Sequence, residues 1–434
     1  MTNTREIASK ILQHIYLHND FEKACEKNQN FNSLEQRDRS FVRLIVLESL
    51  RRNRQLDFII KLFLKKPIDK NKIFLEFLLR ISVCQILFLK VSEYAVVNSA
   101  VEISKKFNLQ GLINAILRNV CRQKKELLSK IYDISNIPNW LEKNLSKSYG
   151  INELKKISKI ITQEPELDIK IKNKYIKSKD WETILDGKFI DTDIIRVKNK
   201  GRINNLPFFK DGLWWVQGIS SSLPVKCLKS LYGSNKLNSK MILEIGAAPG
   251  GKTAQLLDYG FKTKSIDISA IRTDKLKENL NRLNYNTDLK CLDFLDYSDE
   301  IIYDAVLLDA PCTASGLMQK KPEILIKNKT EDLESLIKKQ RKLLEKSSRH
   351  LKNGGYLVYC VCSIFSKEGR EQIENFLKKY KNFSLVTPDN EIQKYGKLLN
   401  NSMLLITPKQ NYFTENIVGT IDGFFIAILK KEYE

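Results

Sequence analysis

The sequence predicts a multidomain protein, with an all-α domain first, a small α+β segment next and an α/β domain last. The chain has 434 residues, more than a single ordinary hydrophobic core accommodates. Residues 1–135 contain one glycine and one proline, and this scarcity of breakers, with apolar residues at helical spacing, indicates an all-helical domain. Strand-like and helical segments alternate through residues 236–434, which predicts a mostly parallel sheet covered on both faces. Residues 136–235 mix the two patterns.

Three kinds of segment justify the helical assignment of the first domain. The string SLEQ, residues 33–36, has the form of a capping box and predicts the start of a helix. The strings YAVVNSAVEISKKF and GLINAILRNVCRQKK predict two more helices, and the basic residues that end the second suit either the helix dipole or phosphate contacts. The apolar string IFLEFLLRISVCQILFLKV is interrupted by charged residues, so we expect a buried helix pair rather than a membrane span.

Short apolar strings predict the strands of the other two parts. The strings LDIKIKNK and IIRVKN predict strands in the middle segment. The strands expected in the last domain are MILEI, TKSIDI, LKCLD, YDAVLLDA, GGYLVYCVC, FSLVT and GFFIAILK. In such an alternating fold, the ligand is expected at the carboxyl ends of the strands.

Composition restricts the class of function. Lysine and arginine number 73 against 51 aspartates and glutamates, a net charge of +22, which favours a polyanionic partner such as nucleic acid. A bias in base composition would give the same excess of lysine. Eight cysteines without a C-x-x-C pair, and only three histidines, predict a cytoplasmic protein without disulfides, metal or Ser–His–Asp catalysis. The amino terminus lacks the unbroken apolar core of a signal peptide, and no membrane association is expected.

Residues 243–253, LEIGAAPGGKT, contain the string G-x-x-x-x-G-K-T and are open to two interpretations. Both place a glycine-rich loop after a strand, with backbone N–H groups facing a ligand at the start of a helix. A P-loop would put Lys252 on phosphates and Thr253 on Mg²⁺, with Asp309 as the acid from another strand. The alternative is a loop that holds S-adenosylmethionine.

The distribution of carboxylates favours the second interpretation. Glu244, in the strand before the loop, suits a cationic sulfonium better than a triphosphate. Asp267 ends the second strand of the domain, where an acid holds ribose hydroxyls in nucleoside-binding α/β folds. Asp293 ends the third strand, where it could accept from an adenine amino group. Acids at the ends of successive strands therefore indicate a nucleoside ligand.

Four strings occur in the order LEIGAAPGGKT, LLDAPCTASGLMQKKPEI, LVYCVCSIFSKEG and DGFFIAIL. Together they resemble the RNA (cytosine-5)-methyltransferases of the Sun/Fmu type. The helical part, notably YAVVNSAVEISKK and GLINAILRNV, resembles the NusB-like RNA-binding domain of bacterial 16S rRNA methyltransferases of this type. The resemblance runs from end to end. It implies a Rossmann-like class I methyltransferase domain, S-adenosylmethionine as the cofactor, 16S rRNA as the partner, and a cytoplasmic monomer without metal.

The resemblance also implies a two-cysteine reaction. Carbon 5 of cytosine is a poor nucleophile, and a thiolate that adds to carbon 6 converts the ring into an enamine able to accept a methyl group. By motif position, Cys362 is the nucleophile, Cys312 assists release, and Asp309 holds the N3 and amino edge of cytosine near the cofactor. Lys252 is a candidate source of the positive potential that a thiolate needs, and Cys360 is expected in the core. The cofactor-binding residues implied are Gly246, Ala247, Ala248, Pro249, Gly250, Gly251, Lys252, Asp267, Asp293 and Asp309.

The chain departs from the family pattern at four positions, none of which removes a catalytic group. Val361 stands where threonine is usual and Gly246 where cysteine is common; Gly218 replaces an acid, and Lys321 a histidine. Two rival functions stay open: an RNA-linked P-loop NTPase, indifferent to the two cysteines, and an RNA-binding factor with an inactive methyltransferase fold. A DNA cytosine methyltransferase would instead use the cysteine of DAPC as its nucleophile.

Overall fold

The structure is a computed structural model that describes residues 3–18, 20–64, 66–198, 201–326, 330–414 and 417–433. The chain forms two compact units. The first comprises residues 1–164 and 318–328, and the second comprises residues 165–317 and 329–434. These units divide the chain at positions other than 135 and 235, and the three-part division of the sequence stays a prediction.

The first unit is helical, as predicted. Its helices are α1 Thr4–His18, α2 Phe21–Glu26, α3 Gln29–Asn32, α4 Gln36–Arg51, α5 Asn53–Phe63, α6 Phe74–Phe88, α7 Glu93–Ser104, α8 Gln110–Arg122, α9 Lys124–Ile131 and α10 Asn139–Ile161. Helix α10 is kinked at Gly150, where φ is +75°. Helix α6 is buried on nearly its whole circumference, because 11 of its 15 residues are buried. A helix that is apolar all round belongs at the centre of a bundle.

Two predictions for this unit are wrong in detail. Ser33 does not cap α4: its hydroxyl donates to the carbonyl of Asn30 at 3.0 Å and closes α3 instead. Helix α4 begins at Gln36 after Glu35, whose side chain makes no capping hydrogen bond. The apolar string expected to form a helix pair is the single helix α6. Among the described helices, none has both the length and the apolarity that crossing a membrane requires.

A segment remote in sequence, residues 318–328, completes the first unit. The guanidinium of Arg51 donates to the carbonyl of Gln319 at 3.0 Å, and the Gln319 amide donates to the carbonyl of Gln163 at 3.3 Å. Ile326 packs against the apolar cluster built from α1, α2 and α4. The string QKKPEI therefore lies in the helical unit although it follows the DAPC motif in the chain.

The second unit contains all the described strands. They are β1 Leu167–Ile171, β2 Gly187–Asp191, β3 Ile194–Val197, β4 Trp214–Val216, β5 Met241–Ile245, β6 Lys262–Asp267, β7 Asp288–Cys291, β8 Tyr303–Asp309, β9 Leu351–Val361, β10 Phe383–Val386, β11 Lys397–Leu399, β12 Met403–Ile406, β13 Lys409–Thr414, β14 Ile417–Ile421 and β15 Phe424–Lys431. Its helices are α11 Trp181–Ile184, α12 Ile219–Tyr232, α13 Gly251–Tyr259, α14 Ala270–Arg282, α15 Thr330–Arg349, α16 Arg370–Lys379 and α17 Asn390–Gln393. Every strand predicted from the sequence is present; β2, β4 and β11 to β14 were not predicted.

The main sheet has the Rossmann-like order expected of the last domain. Its strands run β11-β12-β15-β9-β8-β5-β6-β7, and β10 pairs with β15. Strands β5 to β9 pair in parallel, while β15 joins β9 antiparallel. After β5 the chain moves to one side through β6 and β7, then crosses to β8 on the other side. Ligands of open α/β sheets bind outside the carboxyl ends of the strands at such a reversal of strand order.

A smaller antiparallel sheet precedes the main one and accounts for the predicted α+β character. Its order is β2-β3-β1-β4. Strand β1 pairs with β3 and β4, and the carboxylate of Asp168 on β1 accepts two hydrogen bonds from Arg196 on β3, at 2.7 and 3.1 Å. Both side chains are buried, so this ion pair joins the two strands where a charge without a partner would be costly.

Candidate active site

The glycine loop between β5 and α13 lies at the point where the strand order reverses. Gly246 has φ +81°, and a Cβ there would lie 2.3 Å from the carbonyl oxygen of Asp309. Gly250 has φ +100°, and α13 begins at Gly251. Only glycine meets the first constraint without displacing β8, so Gly246 lets the loop lie directly against the end of that strand.

The side chains that made this loop look like a P-loop have other partners. The Thr253 hydroxyl donates to the Glu244 carboxylate at 2.7 Å, and Ser265 donates to the same oxygen at 2.9 Å. Burial raises the pKa of Glu244 to about 7 despite these two hydrogen bonds. The Lys252 ammonium pairs with the Asp309 carboxylate at 2.7 Å. Thr253 is thus used to anchor helix α13 to the sheet, where a P-loop would direct it to Mg²⁺.

Glu244 was expected to suit a cationic ligand, but in the structure it points into the protein interior. Its side chain is fully buried and accepts hydrogen bonds from Thr253 and Ser265. Glu244 therefore supports the loop from the strand side, whereas Lys252 and Asp309 stand at the carboxyl end of the sheet.

The two cysteines singled out in the sequence lie side by side. The sulfur atoms of Cys312 and Cys362 are 3.4 Å apart. Strands β8 and β9 are parallel and pair Asp309 with Cys360, so the residues that follow leave the sheet at neighbouring points. The hydrogen bond with Cys362, followed by burial, holds the pKa of Cys312 well above the ordinary thiol value.

Cys360 has the buried position expected of it. It is completely buried and lies 3.8 Å from Asp309, measured from its sulfur to the carboxylate. Burial and the charge of Asp309 raise its pKa well above the ordinary value. Burial opposes the charge on Lys252, but the nearby Asp309, Cys360 and Cys362 outweigh it and raise the lysine pKa. The Lys252 ammonium is therefore a positive charge placed next to Asp309, Cys360 and Cys362.

The two acids expected to hold a nucleoside lie at the carboxyl ends of their strands and make local hydrogen bonds. Asp267 accepts from the N–H of Ala248 at 3.1 Å, and from the Arg272 guanidinium at 3.0 Å. Asp293 accepts from the N–H of Leu295, 3.0 Å away, and pairs with Lys339. Burial opposes ionisation of Asp293, but these two donors outweigh it and lower its pKa.

A cavity of about 460 Å³ opens beside the glycine loop. Loop residues 247–252 and Asp309 line one part of it; Asp267, Asp293 and the cysteine pair lie outside this wall. A Cβ on Gly251 would have no neighbour closer than 3.9 Å, so the loop backbone is bare toward the cavity. The remaining lining residues, none of which the sequence assigned to cofactor binding or catalysis, are Ile203, Phe209, Trp215, Val216, Gln217, Gly218, Ser221, Asn279, Arg282 and Leu283.

Comparison with known proteins identifies the class that this fold and site define. Residues 234–430 match the family model of the 16S rRNA methyltransferase RsmB/F, and residues 2–122 match that of the NusB family. The ribosomal RNA small subunit methyltransferase B of Shigella boydii is 28% identical over 440 residues, covering 95% of this chain and 96% of its own. That of Serratia proteamaculans is 29% identical, covering 83% and 87%.

Solved structures show the same fold. The crystal structure of PH0851 aligns with a TM-score of 0.71 at 22% identity, covering 99% of this chain and 100% of its own. NSun6 from Pyrococcus horikoshii, solved with SFG, aligns with a TM-score of 0.58 at 20% identity, covering 69% and 100%.

Residues 234–430 are therefore similar to the 16S rRNA methyltransferase RsmB/F family, and residues 2–122 are similar to the NusB family. The protein is an rRNA methyltransferase with S-adenosylmethionine as its cofactor. Within the described part of the chain, no group of three or more His, Cys, Asp or Glu side chains is arranged to hold a metal ion; the expectation of a metal-free monomer stays a prediction.

Proposed function

We propose that the protein methylates carbon 5 of a cytosine in 16S rRNA through a covalent bond between the sulfur of Cys362 and carbon 6 of the base. The observation that carries this proposal is the 3.4 Å separation of the Cys312 and Cys362 sulfurs, beside Asp309 and Lys252 at the carboxyl end of the sheet. A reaction that forms and later breaks a carbon–sulfur bond can use one thiol as the nucleophile and a second, neighbouring thiol to assist its release.

The reaction assigns a distinct task to each thiol. The Cys362 thiolate adds to carbon 6 and makes carbon 5 nucleophilic enough to take up a methyl group. Bound S-adenosylmethionine supplies that methyl group as an electrophile. Cys312, deprotonated for this step, then accepts the carbon 5 proton, and the electrons of that C–H bond restore the ring double bond as the bond from carbon 6 to sulfur breaks and the Cys362 thiolate leaves. The hydrogen bond to Cys362 and burial hold the pKa of Cys312 well above the ordinary thiol value, so a thiolate at this position is a strong acceptor for that proton.

Lys252 and Asp309 prepare the site for charge. The Lys252 ammonium lies close enough to Cys362 for the two side chains to interact electrostatically. The Asp309 carboxylate lies 2.7 Å from Lys252 and is about one quarter exposed, so it is accessible to the N3 and amino edge of a cytosine. The target base must leave its stack or be single-stranded, since carbon 6 is inaccessible within a helix.

The glycine loop fits the cofactor. Its backbone is bare toward the cavity at Gly251, as is needed where backbone N–H groups approach a ligand. Residues 246–252 would hold the methionine part of the cofactor together with Asp309. Asp267 and Asp293, at the ends of β6 and β7, would hold the ribose and the adenine. For Asp267 this requires exchange of its present hydrogen bonds for those of the ligand.

The test is methylation of small-subunit rRNA by the whole protein with S-adenosylmethionine, followed by denaturing gels and nucleoside mass spectrometry. We expect 5-methylcytosine with the wild type, accumulation of a covalent protein–RNA adduct with Cys312→Ala, and neither with Cys362→Ala. Cys291→Ala is the matched control, because Cys291 is an exposed thiol on β7, and it should behave as the wild type.

Two outcomes would reject the proposal in different ways. If the wild type binds a Mg-nucleotide and methylates no rRNA, the glycine loop is a P-loop and the protein is an NTPase. If it binds rRNA without methylating it in any assembly state, it is an RNA-binding factor with an inactive methyltransferase fold.

A further inference from the structure

A buried carboxylate lies between the two cysteine loops. Glu368, between β9 and α16, is completely buried. One of its oxygens accepts from the N–H of Thr313 at 2.9 Å and from the Gln340 amide at 3.0 Å. The other accepts from the hydroxyls of Thr313 and Ser363, both at 2.5 Å. All four donors are neutral, and sharing them satisfies a carboxylate that would otherwise be expensive to bury.

The positions of these donors in the chain explain what the carboxylate achieves. Thr313 directly follows Cys312, and Ser363 directly follows Cys362. A second link runs parallel to the first, because the Ser315 and Ser363 hydroxyls are 3.0 Å apart and Ser315 accepts from the N–H of the residue after Ser363. Glu368 therefore bonds to the residues next to both sulfurs and joins the two loops that carry them.

We propose that Glu368 is a positioning residue that holds the Cys312 and Cys362 sulfurs in contact, a role that rests on the proposed two-cysteine methylation. The mutual geometry of two reacting groups controls rate steeply, and a displacement of about 1 Å costs roughly 100-fold. A carboxylate suits this task because its two oxygens accept several donors at once. Its charge has a second effect, since it contributes, after the bond to Cys362 and burial, to the raised pKa of Cys312.

The first arm of the test is kinetic and compares Glu368→Ala and Glu368→Gln with the wild type on rRNA. We expect Glu368→Ala to lower kcat by roughly 100-fold with the KM for RNA changed less than about threefold. Glu368→Gln keeps the shape of the side chain and one acceptor oxygen, so its loss of kcat should be nearer tenfold. Glu371→Gln, the same substitution in α16, is the matched control and should retain wild-type rates.

The second arm measures the distance between the sulfurs without methylation. Diamide oxidises two neighbouring thiols to a disulfide and takes up both hydrogen atoms on its N=N bond. Peptide mapping gives the rate at which Cys312 and Cys362 become linked. In the wild type and Glu371→Gln this rate should be the same, and in Glu368→Ala it should fall by about tenfold or more, since the attacking sulfur no longer reaches its partner.

Each result decides the proposal. Loss of kcat together with slower disulfide formation supports it, and the partial retention of both by Glu368→Gln supports it further. Unchanged disulfide formation in Glu368→Ala, or a change confined to KM, overturns it. If Glu368→Ala does not fold, by circular dichroism, the decision passes to Glu368→Gln: wild-type kcat and cross-linking in that variant overturn the proposal. If the wild type methylates nothing, the proposed function fails, while the diamide rates still decide whether Glu368 positions the thiols.

Discussion

Replacement of Glu244 by glutamine tests the electrostatics beneath the glycine loop. The carboxylate is fully buried and accepts from Thr253 and Ser265 through one oxygen. Burial raises its pKa to about 7 from the reference value of 4.5. Below pH 4.5 both folded and unfolded chains are protonated here. Between pH 4.5 and 7 the folded chain keeps a proton that the unfolded chain releases, so the free energy of unfolding falls as pH rises.

The size of this loss follows from the two pKa values. One pKa unit corresponds to about 1.36 kcal/mol, so the interval from 4.5 to about 7 amounts to roughly 3 kcal/mol, complete above pH 7. A glutamine at position 244 still offers an oxygen to Thr253 and Ser265 but cannot ionise. The stability of Glu244→Gln relative to the wild type should therefore increase by roughly 2–3 kcal/mol between pH 5 and pH 8.

The assay is urea unfolding of the full chain at pH 5, 6.5 and 8, with fluorescence and circular dichroism as probes. Glu278→Gln is the matched control, because Glu278 is exposed on α14, and it should show the pH dependence of the wild type. The reasoning is refuted if the stability difference between Glu244→Gln and the wild type is the same at all three pH values. It is refuted equally if that difference decreases toward pH 8, since this would mean that the carboxylate is more stable folded than unfolded.

Two further predictions concern packing in the second unit. Gly316→Ala would place a Cβ 2.0 Å from the carbonyl oxygen of Gly423, and we expect the free energy of unfolding in urea to fall by roughly 2 kcal/mol or more. Gly201→Ala is the control, because a Cβ there has no neighbour within 4 Å. Equal losses of stability in the two variants would contradict the packing argument. Arg196→Met leaves the buried Asp168 carboxylate without its bidentate partner and should lower the free energy of unfolding by roughly 3–5 kcal/mol. Adding Asp168→Leu to the same chain should restore most of that stability. If the double variant is no more stable than Arg196→Met alone, the unpaired carboxylate is not the cause of the loss.

The sequence by itself determined the order of the elements and the identity of the chemical groups. Apolar runs such as MILEI and YDAVLLDA are long enough and apolar enough to be buried parallel strands, and strands β5 and β8 formed there. The scarcity of glycine and proline likewise determined the helical unit. The motif strings placed Cys312 and Cys362 just after two strands, and parallel strands end at one edge of a sheet.

Tertiary structure decided what depends on neighbours remote in the chain. The hydroxyl of Ser33 could have capped α4, but it bonds to Asn30 because α3 ends there. No local pattern distinguishes this choice, since serine serves both roles. Strands β11 and β12 escaped prediction because they are three and four residues long, and the pairing of β11 with β12 and of β12 with β15 stabilises them more than any strong periodicity of their own.

The active site itself divides in the same way. Residue type and motif position determine which two cysteines and which aspartate are candidates for chemistry. The register that pairs Asp309 with Cys360 decides that the sulfurs of Cys312 and Cys362 come within 3.4 Å, because a shift of one residue would turn the side chains to the other face. In the string SIFSKEG, nothing distinguishes Glu368 from any other acid. Only the tertiary structure shows that it is buried and bonded to both cysteine loops, which is the basis for the proposed positioning role.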